Sequence, residues 1–218
     1  MSGITKVHPS TKHTVGSQYI CMDTMDANNE WTSSFSSDVT ELPTVVDVEF
    51  KDNSDAYDSY ASGAVYESDA PVTSQEISET NIAFPAMLLA ELRGETTDSD
   101  GVVLGGGYGV RPYFAYGCEI INKDGSKELR WYPKCKLTEN SDKTATSEDS
   151  HKEQNDTVTI KAYGFDTDGH TYIKALTGES GMSTMTNAAF FAAPLLTIAA
   201  VKALIPTPQN TGGGGGGG

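Results

Sequence analysis

The run Val103-Leu-Gly-Gly-Gly-Tyr-Gly109 has the composition of a backbone cradle for phosphate. A P-loop would continue into Gly-Lys-Ser/Thr at the start of a helix, and a dinucleotide fingerprint would sit in a βαβ unit. Here the glycines lead into Arg111-Pro112 and a strand-like run, so a flexible loop or a close backbone approach is expected. Asp166, Asp168 and Gly169 hint at a calcium loop, but an EF-hand places its glycine two positions later and a bidentate Glu where this chain has Thr177. An Asp-Gly turn accounts for these residues without a metal. His8, His13, His151 and His170 have no HxxxH or HExxH spacing, and Cys21, Cys118 and Cys135 form no CxxC pair, so neither zinc nor a disulfide framework is expected. With no nucleophile elbow and no carboxylate pair singled out by an apolar surround, the expectation is a chain without catalytic, cofactor or metal residues.

The charge distribution is more informative. The chain of 218 residues has 30 acidic against 15 basic side chains, a formal net charge of -15. Phosphate clamping needs a basic footprint, so a nucleic-acid-wrapping protein is excluded as a class. The acidity is concentrated between residues 23 and 80, where Lys51 is the one cation against 14 acids. Two readings compete for that stretch: a solvated acidic face, or a surface that repels polyanions.

The elements that must position these residues read mostly as strands. Pro43 to Phe50 alternates, with Val46, Val48 and Phe50 on an apolar face and Asp47 and Glu49 on the other. Residues 112–122 and 127–137 flank Lys123-Asp-Gly-Ser126, whose Asp-Gly favours a tight hairpin turn. In the second arm Leu129, Trp131, Cys135 and Leu137 are expected on one face, opposite Arg130, Tyr132, Lys134 and Lys136, with Pro133 marking an edge or a bulge. Residues 156–165 and 171–176 read as a second hairpin, and 71–82 as a further strand. In Phe84 to Arg93, Met87, Leu88, Glu91 and Leu92 recur at helical spacing, Pro85 suits the first turn, and Gly94 suits the C-terminal cap. Residues 52–70 and 138–155 read as long polar loops, of the kind that order on contact with a partner.

Four regions are expected: an N-terminal segment (1–39), a β-domain (40–181), an apolar C-terminal arm (182–211) and a glycine tail (212–218). Ala188 to Ile205 approaches the length of a membrane span, but Pro194, Lys202 and its alanines favour an arm packed on its own domain or on a neighbouring subunit. Met1 to Pro9 has no apolar core of a secretory signal, so synthesis and folding in a reducing cytoplasm are expected.

The order of elements resembles a known family. An acidic alternating strand precedes a loop with Ala56-Tyr-Asp-Ser59, then come a β run, the helix ending at Gly94, and the Asn-Lys-Asp-Gly turn. Leu129-Arg-Trp-Tyr-Pro-Lys134 and Thr157-Val-Thr-Ile-Lys-Ala162 follow. Between Thr40 and Leu176 this pattern resembles the major tail (tail tube) proteins of long-tailed siphophages. The resemblance implies a mainly β fold, a β-sandwich or open barrel of two packed sheets with one short flanking helix, whose copies form stacked, hexameric rings. It implies a structural virion protein that conducts DNA without holding it, with Asp47 and Glu49 facing the lumen. Its partners would be further copies of itself, the tape measure and other tail proteins, with no membrane and no cofactor. Contacts between subunits are expected from Lys123, Lys127, Arg130, Lys134 and Lys136 against acids such as Asp55 and Asp58 in the 52–70 loop. A β-sandwich adhesion module and a membrane-associated protein using 188–205 are the competing classes.

Overall fold

The computed structural model describes residues 8–54, 56–141 and 155–206. Its strands are β1 (Lys12–Met22), β2 (Thr40–Leu42), β3 (Val45–Ser54), β4 (Tyr57–Ala61), β5 (Ala64–Asp69), β6 (Val72–Asn81), β7 (Thr96–Thr97), β8 (Val103–Leu104), β9 (Phe114–Asn122), β10 (Lys127–Ser141), β11 (Asp156–Tyr163) and β12 (Ile173–Leu176). Helix α1 (Ala86–Leu92) follows β6, and α2 (Asn187–Phe190) and α3 (Ile198–Ala203) follow β12. The protein is mainly β. One eight-stranded antiparallel sheet runs β2-β1-β9-β10-β11-β6-β3, with β12 beside the first half of β10. The sheet curls until β1 and β3 approach each other, yet they share no ladder and the barrel stays open.

Alternation along the strands sends side chains into two cores. Ile20, Ile77, Phe114, Tyr116, Tyr132, Leu137 and Ile160 meet inside the curl, joined by Phe84 and Leu92. Tyr19, Ala115, Leu129 and Trp131 point the other way and meet Phe190, Phe191, Leu195 and Val201. The C-terminal arm therefore packs on its own sheet, and none of its helices is long and apolar enough to cross a membrane. Trp131 anchors it, donating its indole N–H to Phe190 O at 2.9 Å. Cys21, Cys118 and Cys135 are free and buried in these two cores.

The turn signals hold. Gly125 lies at φ +84° between β9 and β10, and Gly94 at φ +69° ends α1. Several expected placements are corrected. Val46 does not share the core face of Val48 and Phe50: a bulge between Val45 and Asp47 adds a residue to β3 and leaves Val46 47% exposed. Likewise, Leu129 and Trp131 lie on the face opposite Cys135 and Leu137. Between Tyr132 and Cys135 strand β10 has one residue more than β9, so the pleat inverts at Pro133 and brings Arg130 and Tyr132 to the inner side.

The polar stretch 52–70 is no irregular loop. It holds the end of β3 and the two-stranded ribbon β4–β5, whose turn residues Ser62 and Gly63 take the positive φ angles a tight hairpin needs. Strands β11 and β12 do not pair with each other, although the Asp166–Gly169 turn forms. Both pair with β10, side by side along its length. Residues 12–22, expected to precede the β-domain, form β1 between β2 and β9. On α1 the buried positions are Ala90 and Leu92, while Met87 is exposed. Most of the expected 138–155 loop, and the glycine tail, lie outside the described residues; β10 itself continues to Ser141.

Removing a fully buried aromatic leaves a cavity as well as lost contacts, so Trp131→Ala is expected to cost ~3–5 kcal/mol. Val46→Ala, at an exposed bulge, should stay within ~0.5 kcal/mol. Urea unfolding of the two variants checks the difference.

Candidate functional site

The C-terminal arm covers only part of the outer sheet face. Beyond the Pro133 bulge no helix among the described residues covers the outer side of β10, β11, β6 and β3, and its register sets polar side chains in three rows. Lys136, Lys161, Glu76 and Lys51 form the first row, and Glu139, Thr159, Ser78 and Glu49 the second. Ser141, Thr157, Thr80 and Asp47 form the third. Asp47 and Glu49 thus fall on the side opposite Val48 and Phe50, both exposed and neither in an ion pair among the described residues. The face as a whole is not uniformly acidic. Its carboxylates gather toward the β3 edge and at Glu139, its hydroxyls lie between them, and Lys136, Lys161 and Lys51 share one row, with Lys134 nearby on β10.

Those lysines run into an aromatic cluster. Lys136 Nζ sits 4.0 Å from the Tyr113 ring centre, Lys134 Nζ 5.0 Å from that of Trp31, and Lys161 Nζ 5.5 Å from that of Tyr163. Tyr113 and Tyr163 meet edge to face at 6.4 Å. Such cation–π contacts hold an ammonium against the protein while leaving its charge unneutralised. The other cations expected at an interface behave differently. Arg130 bonds Glu128 at 2.6 Å and lies 4.7 Å from the Phe50 ring centre, inside the curl. Burial works against the Glu128 carboxylate, but the Arg130 hydrogen bond and charge prevail and hold it below its usual range. Lys127 is bound to Glu119 at 2.7 Å, and Lys123 stands exposed in the β9–β10 turn. Hence the five cations do not form one patch.

The β4–β5 ribbon carries Asp58 together with Tyr57, Tyr60, Val65 and Tyr66, all exposed; Tyr66 is 80% so and Tyr60 70%. Asp55 lies outside the described residues. A second apolar projection is the Gly-rich segment, where Val102, Leu104, Tyr108 and Val110 face solvent beside the β7–β8 pair. Its cradle already contains a carboxylate. A side chain at Gly105 would collide with Glu95, which is bound to Arg93 at 3.2 Å, while the Arg111 guanidinium donates to the carbonyls of Leu137 and Thr138.

Asp166, Asp168 and His170 are the group among the described residues whose potential metal-ligating atoms converge, within 4.8 Å of one another. The 2.6 Å contact between Asp166 Oδ2 and His170 Nδ1 accounts for two of them, lowering the pKa of Asp166 and raising that of His170.

Sequence reading missed a buried polar chain inside the curl. Glu79 accepts from Tyr116 Oη at 2.8 Å, and Gln18 Nε2 donates to Asn81 Oδ1 at 2.7 Å, which also accepts from Thr44 at 3.0 Å. These bonds tie β6 to β9, to β1 and to the β2–β3 turn across the core. Burial pushes the Glu79 carboxyl up to about 7, against the opposing hydrogen bonds of Tyr116 and Asn81. Strand alternation could have flagged it, since Glu79 shares the Ile77 face. No family model and no curated protein matches the chain.

The native Glu79 pKa stands above its ordinary 4.5, so the folded state binds the extra proton and stability falls as pH rises from about 4.5 through 7. The loss amounts to about 3 kcal/mol at alkaline pH. Glu79→Gln removes it: denaturant unfolding at pH 5 and pH 8 should show the variant gaining on the parent as pH rises.

Proposed function

We propose that this chain is a structural, self-assembling subunit of a siphophage-type tail tube, forming stacked, hexameric rings around a DNA-conducting lumen in the virion tail. The observation that carries the reading is the bare polar sheet face β10-β11-β6-β3, which ends in the open edge strand β3. Among the described residues β3 has a ladder only with β6, and its other edge is approached by β1 without pairing; an edge left unpaired in this way is a template for another copy, and β3 has no Pro to block its ladder. The rows of hydroxyls between Glu49, Asp47 and Glu139 suit a duplex that must slide. Those two rows offer hydrogen bonds without cations, while the lysines of the face lie in the neighbouring row, Lys51 and Lys161 beside Glu76, with Lys134, Lys136 and Lys161 over aromatic rings. In this reading the partners are further copies of the chain, then the tape measure and other tail proteins. The exposed tyrosines of the β4–β5 ribbon serve as the contact to the neighbouring copy.

A second reading rests on the same tyrosines. Tyr57, Tyr60 and Tyr66 form the kind of exposed aromatic set on which sugars stack, as a binding module would use. Glycan-array binding by a monomer would favour that class.

Negative-stain microscopy of concentrated protein is expected to show rings or tubes. A strict monomer at high concentration in every buffer overturns the tube. The double variant Tyr60→Ser, Tyr66→Ser should leave monomer stability within ~0.5 kcal/mol of the parent, because both side chains are exposed. Assembly followed by light scattering should require a markedly higher protein concentration.

A further inference from the structure

Lys127, Glu119 and Asn187 come from three separate elements and meet at one point. Lys127 opens β10, where its backbone is fixed by Thr177: the Lys127 N–H donates to Thr177 Oγ1 at 2.8 Å, and the Thr177 N–H to Lys127 O at 2.9 Å. Its Nζ lies 2.7 Å from Glu119 Oε1 and donates to Asn187 Oδ1 at 3.2 Å, one bond away from the carboxamide carbon. Glu119 is on β9, and its side chain is only 7% exposed. A bulge in β1 puts Gly16 beside it, and a side chain there would occupy the place of its carboxylate. Asn187 is the first residue of α2, and Thr186 caps that helix by accepting from the Ala189 N–H. Tyr19 and Phe191, stacked at 3.8 Å, help line the cleft that Glu119 and Asn187 share.

An amine, a carboxamide and a buried carboxylate in this order are the components of an amide exchange. We propose that Lys127 and Asn187 join in an intramolecular isopeptide bond, with Glu119 as the proton shuttle. Glu119 takes a proton from the Lys127 ammonium, which frees the Nζ lone pair to attack Asn187 Cγ. The tetrahedral centre collapses as Glu119 returns the proton to Nδ2. The Nζ–Cγ bond forms, the Cγ–Nδ2 bond breaks and ammonia leaves through the open cleft, carrying the second Nζ proton as ammonium. Glu119 ends as it began, and no oxidant or reductant is needed. Holding the reactants in contact supplies the entropic part of the barrier, as for other well-oriented intramolecular reactions.

The product would close a loop between residues 60 apart and bind the start of the C-terminal arm covalently to β10. The arm could then no longer peel from Trp131 and Tyr19. This inference does not depend on the tail-tube reading.

Mass spectrometry of the purified full-length chain tests it. The denatured protein is expected to weigh less than its sequence by one ammonia, and trypsin should release a branched peptide joining Lys127 to Asn187, with the Lys127–Glu128 bond uncut. Lys127→Arg and Glu119→Gln should restore the sequence mass while circular dichroism remains that of the parent. Asn187→Asp should close with loss of water in place of ammonia. A parent chain at full sequence mass with no branched peptide, both fresh and after prolonged incubation at neutral pH, overturns the proposal. A mass deficit that persists in Lys127→Arg overturns it as well, since the bond would then involve another residue.

Discussion

Pro133 has no N–H to give to a ladder, yet it lies within a 15-residue strand flanked on both sides. The chain resolves this conflict with one extra residue between Tyr132 and Cys135, and the inversion of the pleat there governs much else. Before the bulge, β10 gives Leu129 and Trp131 to the outer core. After it, the inner core receives Cys135 and Leu137, and the outer side is left to Lys134 and Lys136. The boundary between covered and bare sheet is therefore set by a single backbone irregularity. The C-terminal arm needs an apolar surface and finds it only on one side of Pro133.

The bare side is polar because its positions alternate with buried ones along strands whose inner faces are already committed. Outward Glu76, Ser78, Thr157, Thr159 and Lys161 are each neighbour in sequence to an inward Ile, Val or Ala, while Thr80 stands between the inward Glu79 and Asn81. A partner binding this face would meet rows of polar side chains on a twisted sheet. That favours extended contact over recognition of a small molecule. Meanwhile Arg130 and Lys127, engaged inside the subunit with Glu128 and Glu119, support the packing of the chain itself and are poor candidates for outward contact.

Much of this was legible in the residues. The period-2 alternation of Asp47, Val48, Glu49 and Phe50, the Asp-Gly turn at 124–125, the helix closed by Gly94 and the mainly β character all follow from local rules. What escaped local reading depended on pairing. Val46 looked like a core residue because a bulge cannot be seen in one strand alone. The β4–β5 ribbon looked like a loop because its strands bury little and its tyrosines are outside. Nothing near Asp166 indicated that β11 and β12 would choose β10 over each other. The meeting of Lys127 with Asn187 was equally hidden, because the two are 60 positions apart and the arm brings them together, although the β9–β10 hairpin already set Lys127 near Glu119. On the candidate face, Asp47 and Glu49 could be placed from sequence, whereas the lysine row and its aromatic cluster required the register.

The three cysteines have a consequence of their own. Burial pushes the thiol of Cys21 up to about 11 and that of Cys118 to about 12, and Cys135 higher still. Thiolate is the form that exchanges, oxidises and binds metal, so sulfur in this fold is chemically silent near neutrality. The folded chain can pass from reducing to oxidising surroundings with no bond made or broken at sulfur. Its durability in oxidising surroundings would rest on packing and not on disulfides.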